Sequence, residues 1–94
     1  MTMSAKATVM RHASRMGLRV EAEADERTFV VRCEAPPLYR YADEDIHEMV
    51  ESCYLPWRTA AWEEMARRLA TASVEPCDTE GCDWCDSTRK AGAR

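Results

Sequence analysis

The sequence contains no Asn and no Gln, a single Ile and a single Phe, and only 3 Gly and 4 Pro in 94 residues. So little glycine and proline excludes a collagen-like, loop-dominated or low-complexity chain, while 46% hydrophobic residues are enough for a packed core. Long apolar runs are also missing. Uncharged stretches such as Cys53 to Trp57 and Thr59 to Trp62 fall far short of the roughly 20 residues that span a bilayer, so no membrane segment is expected. The opening Met1-Thr2-Met3-Ser4-Ala5-Lys6 lacks the apolar stretch of a secretion signal, which makes the cytoplasm the expected location. A chain of this length holds one core.

The net charge of -4 conceals a division. Residues 1–20 carry Lys6, Arg11, Arg15 and Arg19 and no acid, whereas residues 21–51 hold ten acids against three arginines. A basic head and an acidic middle can pair within the fold, pair between two copies as a homodimer, or form two separate solvated faces.

Ser4 to Met16 places Ala5, Val9, Ala13 and Met16 on one helical face, and Gly17 follows as a C-cap candidate. Leu18, Val20, Ala22 and Ala24 alternate with charged residues, and Thr28 to Glu34 is rich in strand formers, so a hairpin is expected. Pro36 and Pro37 end its second strand. Asp43 is an N-cap candidate for a second helix over residues 44–54, with Ile46, Met49, Val50 and Cys53 at helical spacing. Pro56 opens a third helix with the stripe Trp62, Met65, Ala66 and Leu69, its outer face carrying Glu63 with Arg67 and Glu64 with Arg68. The expected fold is therefore a small single α+β domain of order α-β-β-α-α, a two-stranded hairpin covered by helices. Residues 1–75 form the domain and residues 76–94 a cysteine-bearing C-terminal tail.

The strongest chemical signal is Cys77, Cys82 and Cys85, three thiols within nine residues. At this spacing thiolates can wrap a Zn²⁺ ion, which would be structural and would clip the tail to the helices. A disulfide or redox pair and unligated thiols on an acidic tail are the alternatives, since no second Cys-x2-Cys is present. A fourth ligand must come from elsewhere. His47 is the expected one, with Cys53, His12 and Cys33 as the other candidates; the plainer role for His47 is a boundary histidine bonded to a carboxylate. Cys33 and Cys53 read as core thiols.

Pro36-Pro37-Leu38-Tyr39 matches the PPxY ligand of WW domains, although a strand exit explains the same residues. Trp57 and Trp84 have no core assignment and, with Tyr54, form a candidate protein-binding surface. Lys6, Arg11, Arg15 and Arg19 could meet phosphates, but no nucleic-acid-binding motif accompanies them and the pI is near 5.2. No arrangement of nucleophile, base and oxyanion donors is visible, so an enzyme is not expected.

Pro37-x-Tyr39-Arg40-Tyr41, Asp45-x-His47-x-x-Val50, the Trp-bearing helix and the late acidic cysteine cluster together resemble small accessory proteins of tailed phages that infect actinobacteria. The resemblance covers residues 36–86, and the excess of Arg (11) over Lys (2) with 14 Ala has the look of GC-rich coding. It implies a cytoplasmic, non-virion phage product in the host cell that binds and modulates a host protein. It assigns no binding residue position by position. The alternative reading is a small zinc-dependent regulator that contacts nucleic acid through the basic first helix.

Overall fold

The computed structural model describes residues 4–42, 46–78 and 82–85. Its first helix, α1 (Ala5–Met16), starts where the Ser4 side chain accepts the Ala7 N–H at 3.1 Å and ends at Gly17, whose φ of 72° is left-handed. The Leu18 N–H then reaches back to the Ala13 carbonyl at 2.9 Å, closing the helix end. A β-carbon at position 17 would also meet Cγ of Pro36 at 3.4 Å. Glycine is favoured here by the backbone; the space itself would admit a β-carbon in ordinary contact.

Strands β1 (Arg19–Ala24) and β2 (Thr28–Glu34) form the expected antiparallel hairpin, with Val20 opposite Cys33 and Ala24 opposite Phe29. The Asp25 N–H donates to the Thr28 carbonyl at 2.8 Å, and no turn residue has positive φ, so the turn is not of the primed kind. A short strand, β3 (Tyr39–Tyr41), follows.

The expected second helix over residues 44–54 is instead a strand, β4 (Glu48–Tyr54), paired with β2 along its whole length. Asp43, its proposed cap, lies with Glu44 and Asp45 outside the described residues. The physical reason is that Met49 and Cys53 satisfy a period of two as well as one of 3.6. In the strand register Met49, Glu51 and Cys53 face the helices and Val50 faces outward. Glu51 tolerates that side because Arg68 binds its carboxylate at 2.7 Å. A third strand also completes what would be a marginal two-stranded ribbon.

Pro56 sits in a 3-10 turn, Leu55–Trp57, and the last helix, α2 (Thr59–Thr71), begins after it. Ala61, Trp62, Met65 and Leu69 are its buried stripe. The expected i,i+4 pairs are replaced: Arg67 binds Glu64 at 2.6 Å, and Arg68 is drawn across to Glu51 on β4. The chain then adds β5 (Val74–Pro76), which pairs antiparallel with β3. The observed α+β order is therefore α-β-β-β-β-α-β, with a three-stranded sheet β1-β2-β4 and a second sheet β3-β5.

Both helices lie on one face of the larger sheet. Val9 of α1, Phe29, Val31 and Cys33 of β2, Met49 of β4 and the α2 stripe share one core, which Tyr41 of β3 joins by donating its hydroxyl to the Cys33 carbonyl at 2.7 Å. Among the described residues no helix is long and apolar enough to cross a membrane.

Candidate metal centre

The second sheet positions the site. Pro36 to Tyr39 form a turn in which the Tyr39 N–H donates to the Pro36 carbonyl at 2.9 Å and Leu38 has a φ of 68°. Proline at the second position and a left-handed residue at the third suit a type II turn, although Gly or Asn is usual where Leu38 stands. The match to a PPxY ligand is thus used internally, as a tight exit from β2. Its carbonyls point at the site: that of Leu38 accepts the Cys77 N–H at 2.8 Å, and that of Tyr39 lies 2.8 Å from Nδ1 of His47.

The second contact fixes the chemistry of the ring. A carbonyl oxygen can only accept, so Nδ1 carries the proton, and in a neutral imidazole Nε2 is a bare lone pair. That nitrogen lies 3.3 Å from Sγ of Cys82 and 3.6 Å from Sγ of Cys77. One lone pair cannot accept two well-directed S–H bonds, whereas a cation between the three atoms would satisfy them together. With Cys85, the four donor atoms all lie within 4.8 Å of one another. A tetrahedral zinc with Zn–S of about 2.3 Å and Zn–N of about 2.0–2.1 Å sets its nitrogen about 3.6 Å from each sulfur and its sulfurs about 3.8 Å apart. The observed nitrogen–sulfur distances match that figure to within a few tenths of an ångström.

Cys85 is 3% exposed and lies in a helical stretch that includes residues 83–85. Burial, together with the adjoining Cys77 and Cys82 thiols, pushes its pKa up to about 12. A bound dication would reverse that balance and stabilise the Cys85 thiolate. Trp84 covers His47, the two rings nearly parallel at 7° with centroids 5.7 Å apart. The site therefore has an outer shell of two backbone carbonyls and one indole.

The other candidate ligands are elsewhere. Cys33 is fully buried in the core, where burial raises its thiol to about 11. Cys53 lies on β4 and donates to the Trp57 carbonyl at 3.2 Å, and His12 on α1 contacts Arg15 at 2.7 Å. His47 stands just before β4, where its carbonyl accepts the Ala35 N–H at 2.8 Å.

Of the residues proposed for a partner surface, Trp57 is 69% exposed and Tyr54 54% exposed, their rings edge to face at 5.6 Å. Trp84 is 37% exposed and stacks on His47, apart from the Tyr54–Trp57 pair. Lys6, Arg11, Arg15 and Arg19 are all exposed, and three have a local contact that is resolved: Lys6 lies 5.8 Å above the Trp62 ring, Arg15 is 2.7 Å from Nδ1 of His12, and Arg19 pairs with Glu21 at 2.9 Å. The role of the Leu38 and Tyr39 carbonyls was not readable from residue types, although Pro37 at the second turn position was a partial signal.

No protein-family model, curated protein or solved structure matches this chain.

Proposed function

We propose that the protein is a zinc-stapled binding domain. His47, Cys77, Cys82 and Cys85 hold one structural Zn²⁺, and the rigid Tyr54–Trp57 surface engages a partner protein. The observation that carries this reading is the bare Nε2 of His47 set between two cysteine sulfurs at 3.3 and 3.6 Å. Four protein donors fill a tetrahedron and leave no position for a substrate, which is the pattern of a structural rather than a catalytic zinc. The metal ties residues 77–85 to the start of β4, and so supplies stability that a small core lacks.

The binding role rests on Trp57, which is held outward by its own backbone: the Arg58 N–H donates to the Leu55 carbonyl at 3.2 Å and the Leu55 N–H to the Arg27 carbonyl at 2.7 Å. A large aromatic kept rigid in solvent suits an interface anchor, because little entropy is lost on docking. The resemblance to phage accessory proteins makes a host protein the proposed target. Native mass spectrometry of the purified chain tests the zinc: one equivalent per chain, absent in Cys82→Ser, is expected. Metal-free protein with an intact fold in zinc-supplemented buffer contradicts it. A partner found by cross-linking must lose affinity by at least about tenfold with Trp57→Ala, the loss typical of an interface anchor; unchanged affinity removes the assigned surface.

A further inference from the structure

Among the described residues the two outer strands of the larger sheet, β1 and β4, have no further strand beside them, and their edges are not alike. In an antiparallel ladder, successive residues turn their N–H and C=O groups alternately toward and away from the neighbouring strand. The bonds from the Leu55 N–H to the Arg27 carbonyl and from the Ala35 N–H to the His47 carbonyl set the phase. Residues 49, 51 and 53 of β4 therefore bond to β2, and the backbone groups of Glu48, Val50, Ser52 and Tyr54 point away from the sheet. Among the described residues no strand pairs with Glu48–Tyr54 on this side; just before it, the Tyr41 N–H of β3 donates to the Ile46 carbonyl on the same edge at 2.8 Å.

Edge strands are ordinarily blunted by Lys, Pro, bulges or alternating charge. β1 follows that rule, its outer face carrying Arg19, Glu21 and Glu23, with Glu21 paired to Arg19 and Glu23 to Arg32. β4 has no Lys, Arg, Pro or Gly, and its register with β2 is unbroken over seven residues. Its outward side chains include Val50, 41% exposed, and Tyr54. Of its two acids, Glu51 is held by Arg68 within the chain.

We propose that β4 is the seam of a two-fold homodimer, in which two copies of this chain pair antiparallel about Ser52 and build one six-stranded sheet. Ser52 has outward-facing backbone groups, so it can exchange both bonds with the partner's Ser52. The same register sets Tyr54 opposite the partner's Val50, covering an exposed aromatic with an exposed β-branched residue. It places no like charges face to face: Glu51 falls opposite the partner's Cys53 and Glu48 opposite the partner's Pro56. Arg68 already touches the Val50 carbonyl, at 3.5 Å, and a carbonyl has a second lone pair for the partner's Tyr54 N–H. Specific interfaces bury about 1,000 Å² or more in total, so a seam of one strand edge with its flanking side chains belongs among the small, reversible ones. Trp57 lies beyond the paired segment in both copies, so the dimer would present Trp57 twice while the seam covers Tyr54.

Sedimentation equilibrium of the full zinc-loaded chain, from low to high micromolar, tests this. A reversible monomer–dimer equilibrium is expected. Ser52→Pro removes only an outward N–H, and Val50→Lys changes only an exposed side chain; each is expected to raise the dimer dissociation constant at least about tenfold, the effect of one lost interface anchor. Zinc content and thermal unfolding of the monomers, measured alongside, stay as in the parent. A chain that is monomeric throughout, or a dimer indifferent to both substitutions, overturns the proposal whether or not zinc is bound.

Discussion

Replacing Cys82 by Ser removes one zinc ligand at small packing cost, because Cys82 is only partly buried, whereas Cys85 is part of the interior. A metal held as proposed would link His47 to residues 30 to 38 positions later in the chain, a long tie that the unfolded state does not make. With free zinc a thousandfold above the dissociation constant, binding to the folded state alone contributes about 4 kcal/mol. In a domain of this size each kcal/mol moves the midpoint by about 4–8 °C, so the zinc-loaded parent should melt roughly 15–30 °C above the chelated one. Circular dichroism melts with excess zinc and with chelator give the comparison. Cys82→Ser should melt close to the chelated parent and respond little to zinc, and Cys53→Ser, outside the cluster, should keep the full response. A parent whose midpoint ignores zinc, or a Cys82→Ser variant that gains as much as the parent, would refute the reasoning.

Three further outcomes follow from the packing. Leu69→Ala empties a side-chain volume in the middle of the core and should cost about 2–5 kcal/mol in urea unfolding; a loss under 1 kcal/mol would mean that α2 does not seat on the sheet as described. Leu38→Gly relieves a left-handed backbone whose cost is about 1–2 kcal/mol, and it should be neutral to stabilising despite removing an apolar side chain. A clear fall in midpoint there would show the Leu38 side chain to be a needed contact. Burial raises the Cys33 pKa to about 11, so the folded state holds this proton more tightly than the unfolded chain. Its contribution is complete below the ordinary thiol pKa near 8.5 and is lost as pH rises from there toward 11, so stability should decline between those values, less steeply in Cys33→Ala. Equal slopes in the two proteins would remove Cys33 as a cause.

The helix end at Gly17 and the alternation of residues 18–24 were legible because each is a local signal with one geometric solution. β4 was not. Met49, Val50 and Cys53 fit a helical stripe, and what decides between the periods is non-local: the free edge of β2, and an arginine on α2 that makes Glu51 acceptable on the helix side. Arg68 itself looked like an i,i+4 partner of Glu64 for the same reason, since its real partner is 17 residues away. At the site, spacing alone drew attention to Cys77, Cys82 and Cys85. The place of His47 beside them follows from the Pro36–Tyr39 turn and the β3-β5 pairing, which bring distant segments together through backbone bonds that residue types do not encode.

The most direct test of the central claim is X-ray absorption at the zinc edge on the purified, zinc-loaded chain. The account predicts three sulfurs at about 2.3 Å and one imidazole nitrogen at about 2.0–2.1 Å, with the nitrogen lost in His47→Ala. A first shell of oxygens, or a spectrum unchanged by that substitution, would contradict it.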